Sequence, residues 1–186
     1  MNKGRFEAFN DAIIAIIVTL LVLEIKRPDS YTFTALAANW RSYGVYIVTF
    51  LQIMAVWYNH HNLLQYATHF NHRFYWANVF WLLMLSSAPF ATSWLSDYPN
   101  QWQPETFYVG VWFLWSIAYT IAEVTLLHLN PRITLIDHYE RWIYVVMGLT
   151  VLVTRFIPFA GIISVSFLTL WLILRPIKYE LKAENS

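Results

Sequence analysis

Apolar residues along the chain gather into six blocks separated by short polar links. The blocks predict helices over residues 6–25, 36–64, 74–95, 106–128, 139–154 and 157–175. A bilayer-spanning helix takes about 20 residues. The third, fourth and sixth blocks reach that length unaided, whereas the first and fifth need their polar flanks. Backbone groups in hydrocarbon have no water to bond, so such segments are helices or a closed barrel. The period-two alternation of a barrel strand is absent. The pattern therefore predicts an all-α polytopic membrane protein with six transmembrane helices in one domain, 1–186. Arg155, followed by Pro158 and Gly161, divides the last two blocks. A tight helical hairpin and a single long kinked helix are both open there. Glu180 to Ser186 is expected to be a frayed polar tail.

Composition removes the soluble alternatives. The chain is 58% hydrophobic and only 12% charged, against about a quarter charged in soluble domains. Ten tryptophans and twelve tyrosines suit two membrane–water interfaces. The first apolar run ends in Glu24, Lys26 and Arg27 rather than a small-residue cleavage site, so it is expected to be a retained helix. A net charge of +1 gives no reason to expect nucleic acid. Without cysteine, disulfides and thiolate chemistry are excluded. His60 and His61 point about 100° apart on a helix, and Glu123 and His128 about 140°, so neither pair can chelate a metal. No phosphate loop or nucleophile elbow occurs. No catalytic residue, metal or cofactor is predicted. Glu123 is the only charge of the fourth block and is expected to pair with Arg155 or Arg132, or to line a crevice. His69, His72 and His138 are expected at interfaces.

With six crossings, one side holds Lys3, Arg5, Arg73, Arg132, Arg141, Arg175, Lys178 and Lys182. The other holds Lys26, Arg27, Arg41 and Arg155. The basic excess predicts that both termini are cytoplasmic.

At the mouth of the first helix stands Arg5-Phe6-Glu7-Ala8-Phe9-Asn10-Asp11-Ala12. This closely resembles the R-x-x-x-F-S-D signature of the transmembrane protein 175 family, which comprises the lysosomal potassium channel of animals and shorter bacterial and archaeal relatives. Asn10 stands where the family has serine. Trp57-Tyr58-Asn59-His60-His61 resembles the end of the family's second helix. Asn78, with Ala88-Pro89-Phe90, resembles the marks of its third. The resemblance implies a prokaryotic plasma-membrane protein, a homotetramer whose first helices line a central pore, and potassium as permeant ion. It also implies an apolar constriction at Ile16, with further rings at Leu20 and Leu23 and a threonine layer at Thr19.

Helical geometry alone puts Leu20 about +40° and Leu23 about −20° from Ile16, with Thr19 at about −60° and Asp11 at about −140°. The apolar stripe and the acid thus face different things. By itself the stripe could be packing or lipid surface; as four copies on an axis it makes apolar rings that gate by dewetting. The resemblance favours the second. Thr19 is expected to bond back to a carbonyl one turn earlier, whatever its role in the pore. Asp11 is expected to meet His60, Trp57 or Asn78, holding the pore helix in place rather than coordinating ions. Arg5 is expected at the cytoplasmic mouth, paired or snorkelling.

The function expected is a potassium-permeable cation channel without a voltage sensor, since no helix carries repeated arginines. The alternative is a secondary or proton-coupled transporter. That would want matched broken helices in repeated halves, and Pro89 and Pro158 are not such a pair.

Overall fold

Asn2 opens the first helix by accepting a hydrogen bond from the Arg5 N–H at 3.3 Å. Such a cap satisfies one of the amide donors that a helix start leaves free. The computed structural model describes residues 2–136, 140–157 and 159–182, leaving out the side chains of Glu140 and Arg141. His138, Pro158 and the tail beyond Lys182 lie outside the described residues. Helix α1 spans Lys3–Leu21 and tightens into a 3-10 turn over Val22–Glu24. Short α2 (Phe33–Ala38) is capped by Thr32, and long α3 runs Trp40–Tyr66.

The third apolar block is two helices, α4 (His72–Leu85) and α5 (Ala88–Asp97). Pro89 supplies the break: it has no N–H for the carbonyl of Leu85, and its ring crowds that carbonyl. Ser86 and Ser87 cover the joint, donating through their hydroxyls to the carbonyls of Leu83 and Met84 at 2.7 and 2.6 Å. Helix α6 spans Trp102–Leu129, α7 Glu140–Val153 and α8 Ala160–Leu174. Separate α7 and α8 resolve the fifth and sixth blocks as a hairpin. Among the described residues three stretches are long and apolar enough to cross a bilayer, Lys3–Glu24, His72–Asp97 and Trp102–Leu129; α7 and α8 are apolar but shorter.

Two short strands, β1 (Ile133–Leu135) and β2 (Tyr179–Leu181), pair antiparallel with Leu135 opposite Tyr179. This corrects the expected frayed tail at Glu180 and Leu181, which are pinned because Tyr179 is buried and donates to Glu123. Of the two arginines expected as alternatives beside Glu123, Arg155 is not its partner. Arg155 lies 4.6 Å over the Trp102 ring, at the opposite end of α6.

The core lies where α6 packs against α4, α5 and α7. Trp81, Trp112 and Trp115 fill it, with Trp112 and Trp115 rings 4.8 Å apart. A buried hydroxyl cluster ties α3 to α5 and α6: Thr49 is 3.0 Å from the Thr92 hydroxyl and 2.9 Å from that of Tyr108. In apolar surroundings such groups must bond one another.

The start of α8 is capped from a distance. Glu105 of α6 is buried and accepts from the N–H groups of Gly161 at 2.6 Å and Phe159 at 3.2 Å. A Cβ at Gly161 would come within 2.7 Å of both Glu105 Cγ and Val109 Cγ2. Gly161→Ala is therefore expected to destabilise the fold by about 1–3 kcal/mol through overpacking. A thermal unfolding scan in detergent checks this; an unchanged midpoint refutes the close approach.

Candidate pore helix and its anchoring network

Helix α1 buries one narrow stripe against its own subunit: Phe6, Asn10, Ile14, Ile17 and Leu21. Steps of three and four keep these residues on one face. The stripe packs against α3, α4 and α5. At its base Phe6 meets Phe70 and Phe74, with ring centroids 5.8 and 5.4 Å away.

The remaining face is bare. Ile16 is 57% exposed and Leu23 74%, whereas neighbouring Leu21 is fully covered. Leu20 and Thr19 are exposed as well, as is Phe9 of the motif. The predicted stripe is thus the side of α1 that the subunit does not cover. Thr19 donates its hydroxyl proton to the Ile16 carbonyl at 2.9 Å, which turns the lone pairs of the oxygen outward.

Asn10 starts a buried polar chain through three helices. Its Nδ2 donates to the Phe6 carbonyl at 2.8 Å. Its Oδ1 accepts from Asn78 Nδ2 on α4 at 2.6 Å. Asn78 Oδ1 lies 3.0 Å from His60 Nε2 on α3. A carbonyl oxygen can only accept, so His60 Nε2 carries the proton. The His60 ring stacks on Trp81 with centroids 4.4 Å apart. Asn10, Asn78 and His60 are all buried.

Asp11 stands outside this chain. The helix turns about 100° per residue, which carries Asp11 past the interior that Asn10 faces. Its carboxylate is exposed on the subunit and accepts from Trp57 Nε1 of α3 at 2.8 Å. Of its three candidate partners only Trp57 bonds it; His60 and Asn78 bond each other. The Trp57 ring stacks on His61. Arg5 is exposed, with its side chain outside both networks.

Sequence reasoning passed over two anchoring residues. Asn59 Oδ1 accepts from the Ile177 N–H at 3.1 Å, tying the chain after α8 to α3. Asn130 accepts from the N–H groups of Thr68 and His69, both at 2.9 Å, and clasps the link between α3 and α4. An asparagine just after a helix reads as an ordinary C-cap, so nothing local marks its long-range role.

Together these features define a helical, multi-pass membrane protein whose first helix is locked on one polar seam and left apolar and open on the other. Residues 5–89 match the family model described as endosomal/lysosomal potassium channel TMEM175. The chain is 39% identical over 124 residues to a potassium channel of Chryseobacterium sp. (strain P1-3), covering 66% of this chain and 64% of that one. A potassium channel of Streptomyces collinus is 34% identical over 127 residues, covering 66% and 62%. The match thus spans a little under two thirds of those relatives' length. In fold, the chain superposes on the crystal structure of a TMEM175 homolog from Chamaesiphon minutus with a TM-score of 0.78 at 24% identity, covering 93% of this chain and 97% of that one. Over residues 5–89 in sequence, and over most of its length in fold, the chain is similar to the TMEM175 family.

Proposed function

We propose that the chain is one subunit of a homotetrameric channel that conducts potassium passively across a plasma membrane. Four α1 helices close on a central axis, with Ile16 as the tightest ring, Leu20 and Leu23 extending it and Thr19 tuning permeation. Each subunit crosses the bilayer six times, α4 and α5 together making one crossing, with both termini cytoplasmic. The observation that carries this reading is the uncovered stripe of α1. A helix with one seam buried by its own subunit and an apolar face outside it is built to meet copies of itself. The names of the bacterial relatives supply potassium as the ion. Thr19 presents oxygen lone pairs, the chemistry a dehydrating cation needs. No repeated-arginine helix supplies voltage sensing. The reading assigns no catalysis and needs no cofactor.

Recording from purified protein in planar bilayers tests it. Potassium-carrying unitary currents are expected, and the absence of any cation current sinks the proposal. Asp11→Ala is expected to leave the Trp57 indole N–H without its acceptor and to weaken α1 docking, so that less protein assembles. Cross-linking with size-exclusion chromatography reads this out. Normal tetramers with only an altered conductance would instead make Asp11 an ion ligand.

A further inference from the structure

At the end of the bundle that holds the α5–α6 and α7–α8 turns, a groove of about 320 Å³ opens between α3, α5 and α8. Its walls are apolar: Val45, Val48, Leu95, Phe159 and Ile162. Gly44 leaves one side of it open, since a Cβ there would meet no atom within 4 Å.

Arg41 covers the mouth. Its guanidinium lies 5.4 Å from the Phe159 ring centroid and 5.5 Å from that of Trp40, and Nη1 donates to Asn100 Oδ1 at 2.9 Å. A guanidinium has five N–H donors, and the Asn100 bond takes one. Arg41 forms no ion pair among the described residues. The acid that lines the groove, Glu105, is committed to the first turn of α8 through both its oxygens.

The same Glu105 holds Phe159 in place, and Phe159 has a left-handed backbone with φ 68°. For a bulky aromatic residue this conformation is a strained outlier. In this conformation the ring lies beside the Arg41 guanidinium. The level is interfacial, with Trp40 largely exposed beside Arg41. Val45 and Val48 lie about 120° and 180° round α3 from Trp57, the residue that holds α1, so the groove opens on a different face of α3 from that contact.

We propose that this groove binds one anionic phospholipid, with its phosphate on Arg41 and one acyl chain laid between Val45, Val48 and Ile162. Planar N–H donors left over on the guanidinium match phosphate oxygens in a charge-assisted pair. The apolar slot beneath has no use for a soluble anion but suits a chain. A choline headgroup would bring a second cation to Arg41, so the site prefers net-negative lipid.

Native mass spectrometry of the full chain in detergent tests this with dioleoyl phosphatidylglycerol, dioleoyl phosphatidylcholine and inorganic phosphate as probes. The wild type is expected to retain phosphatidylglycerol about tenfold better than phosphatidylcholine. Arg41→Gln removes that preference and leaves phosphatidylcholine retention unchanged. Gly44→Leu fills the slot and reduces retention of both lipids, while its lipid-free melting temperature stays at the wild-type value. Equal retention of the two lipids by the wild type overturns the proposal. So does a preference that survives Arg41→Gln, or displacement of the lipid by inorganic phosphate at equal concentration. If Gly44→Leu fails to fold, the Arg41→Gln comparison decides alone.

Discussion

Replacing Asn78 by leucine will destabilise the folded chain by about 3–5 kcal/mol, the sum of two orphaned buried groups. Leucine has as many side-chain heavy atoms as asparagine and the same branch point, so no cavity forms. What disappears is the amide that serves Asn10 Oδ1 with a donor and His60 Nε2 with an acceptor. Both partners are buried, at 1% and 3% exposure, so water does not replace it. The His60–Trp81 stack survives and keeps the imidazole from swinging out to solvent. The loss should show in denaturant unfolding in mixed micelles and as a smaller monodisperse peak after mild heating. The double variant His60→Leu with Asn78→Leu should cost less than the two singles added, since the second change removes a group already orphaned. A wild-type unfolding midpoint for Asn78→Leu would mean that the seam does not hold α1.

That seam was half legible in the amino-acid sequence. A carboxylate inside an apolar block is costly, which singles out Asp11; Asn10, His60 and Asn78 stand out through the family resemblance. Their wiring was not legible. Asn10 and Asp11 are adjacent, and a helix separates adjacent residues by about 100°; only the packing of α3 and α4 decides which of the two faces inward. The packing favours Asn10, whose amide both donates and accepts and so links Phe6 to Asn78. An ionised Asp11 only accepts and finds a single indole at the rim. The long helices follow from apolar run length, because in a bilayer nothing else is allowed. The break at Ser86–Ser87 was visible as Pro89 but read as a mark within one helix. Pairing of β1 with β2 joins segments far apart in sequence with no alternation to announce it. The Glu105 cap of α8 has the same character: a first-turn glutamate reads as a local dipole partner, and only tertiary structure shows that it serves another helix.

Ile16→Ser is expected to raise potassium flux by about tenfold or more, equivalent to roughly 1.4 kcal/mol from the permeation barrier, with folding unaffected. In the proposed tetramer a ring of four isoleucines would exclude water by apolar wall and small bore. Serine removes three carbons per subunit and adds a hydroxyl, so the ring widens and wets. Because Ile16 is 57% exposed on its own subunit, the change opens no cavity in the fold. The contrast lies two residues away. Ile14, at 3% exposure, packs inside the subunit. There the same change deletes core contacts and buries a hydroxyl, at a cost of about 2–4 kcal/mol, without touching the ion path. Flux into liposomes and melting temperature, measured on both variants, separate the two faces of α1. The reading requires Ile16→Ser to move flux alone and Ile14→Ser to move stability. If Ile16→Ser leaves flux unchanged, the narrowest point of the path lies elsewhere. If it lowers the melting temperature as much as Ile14→Ser does, the exposed stripe is an interface that holds subunits together rather than a wall facing ions.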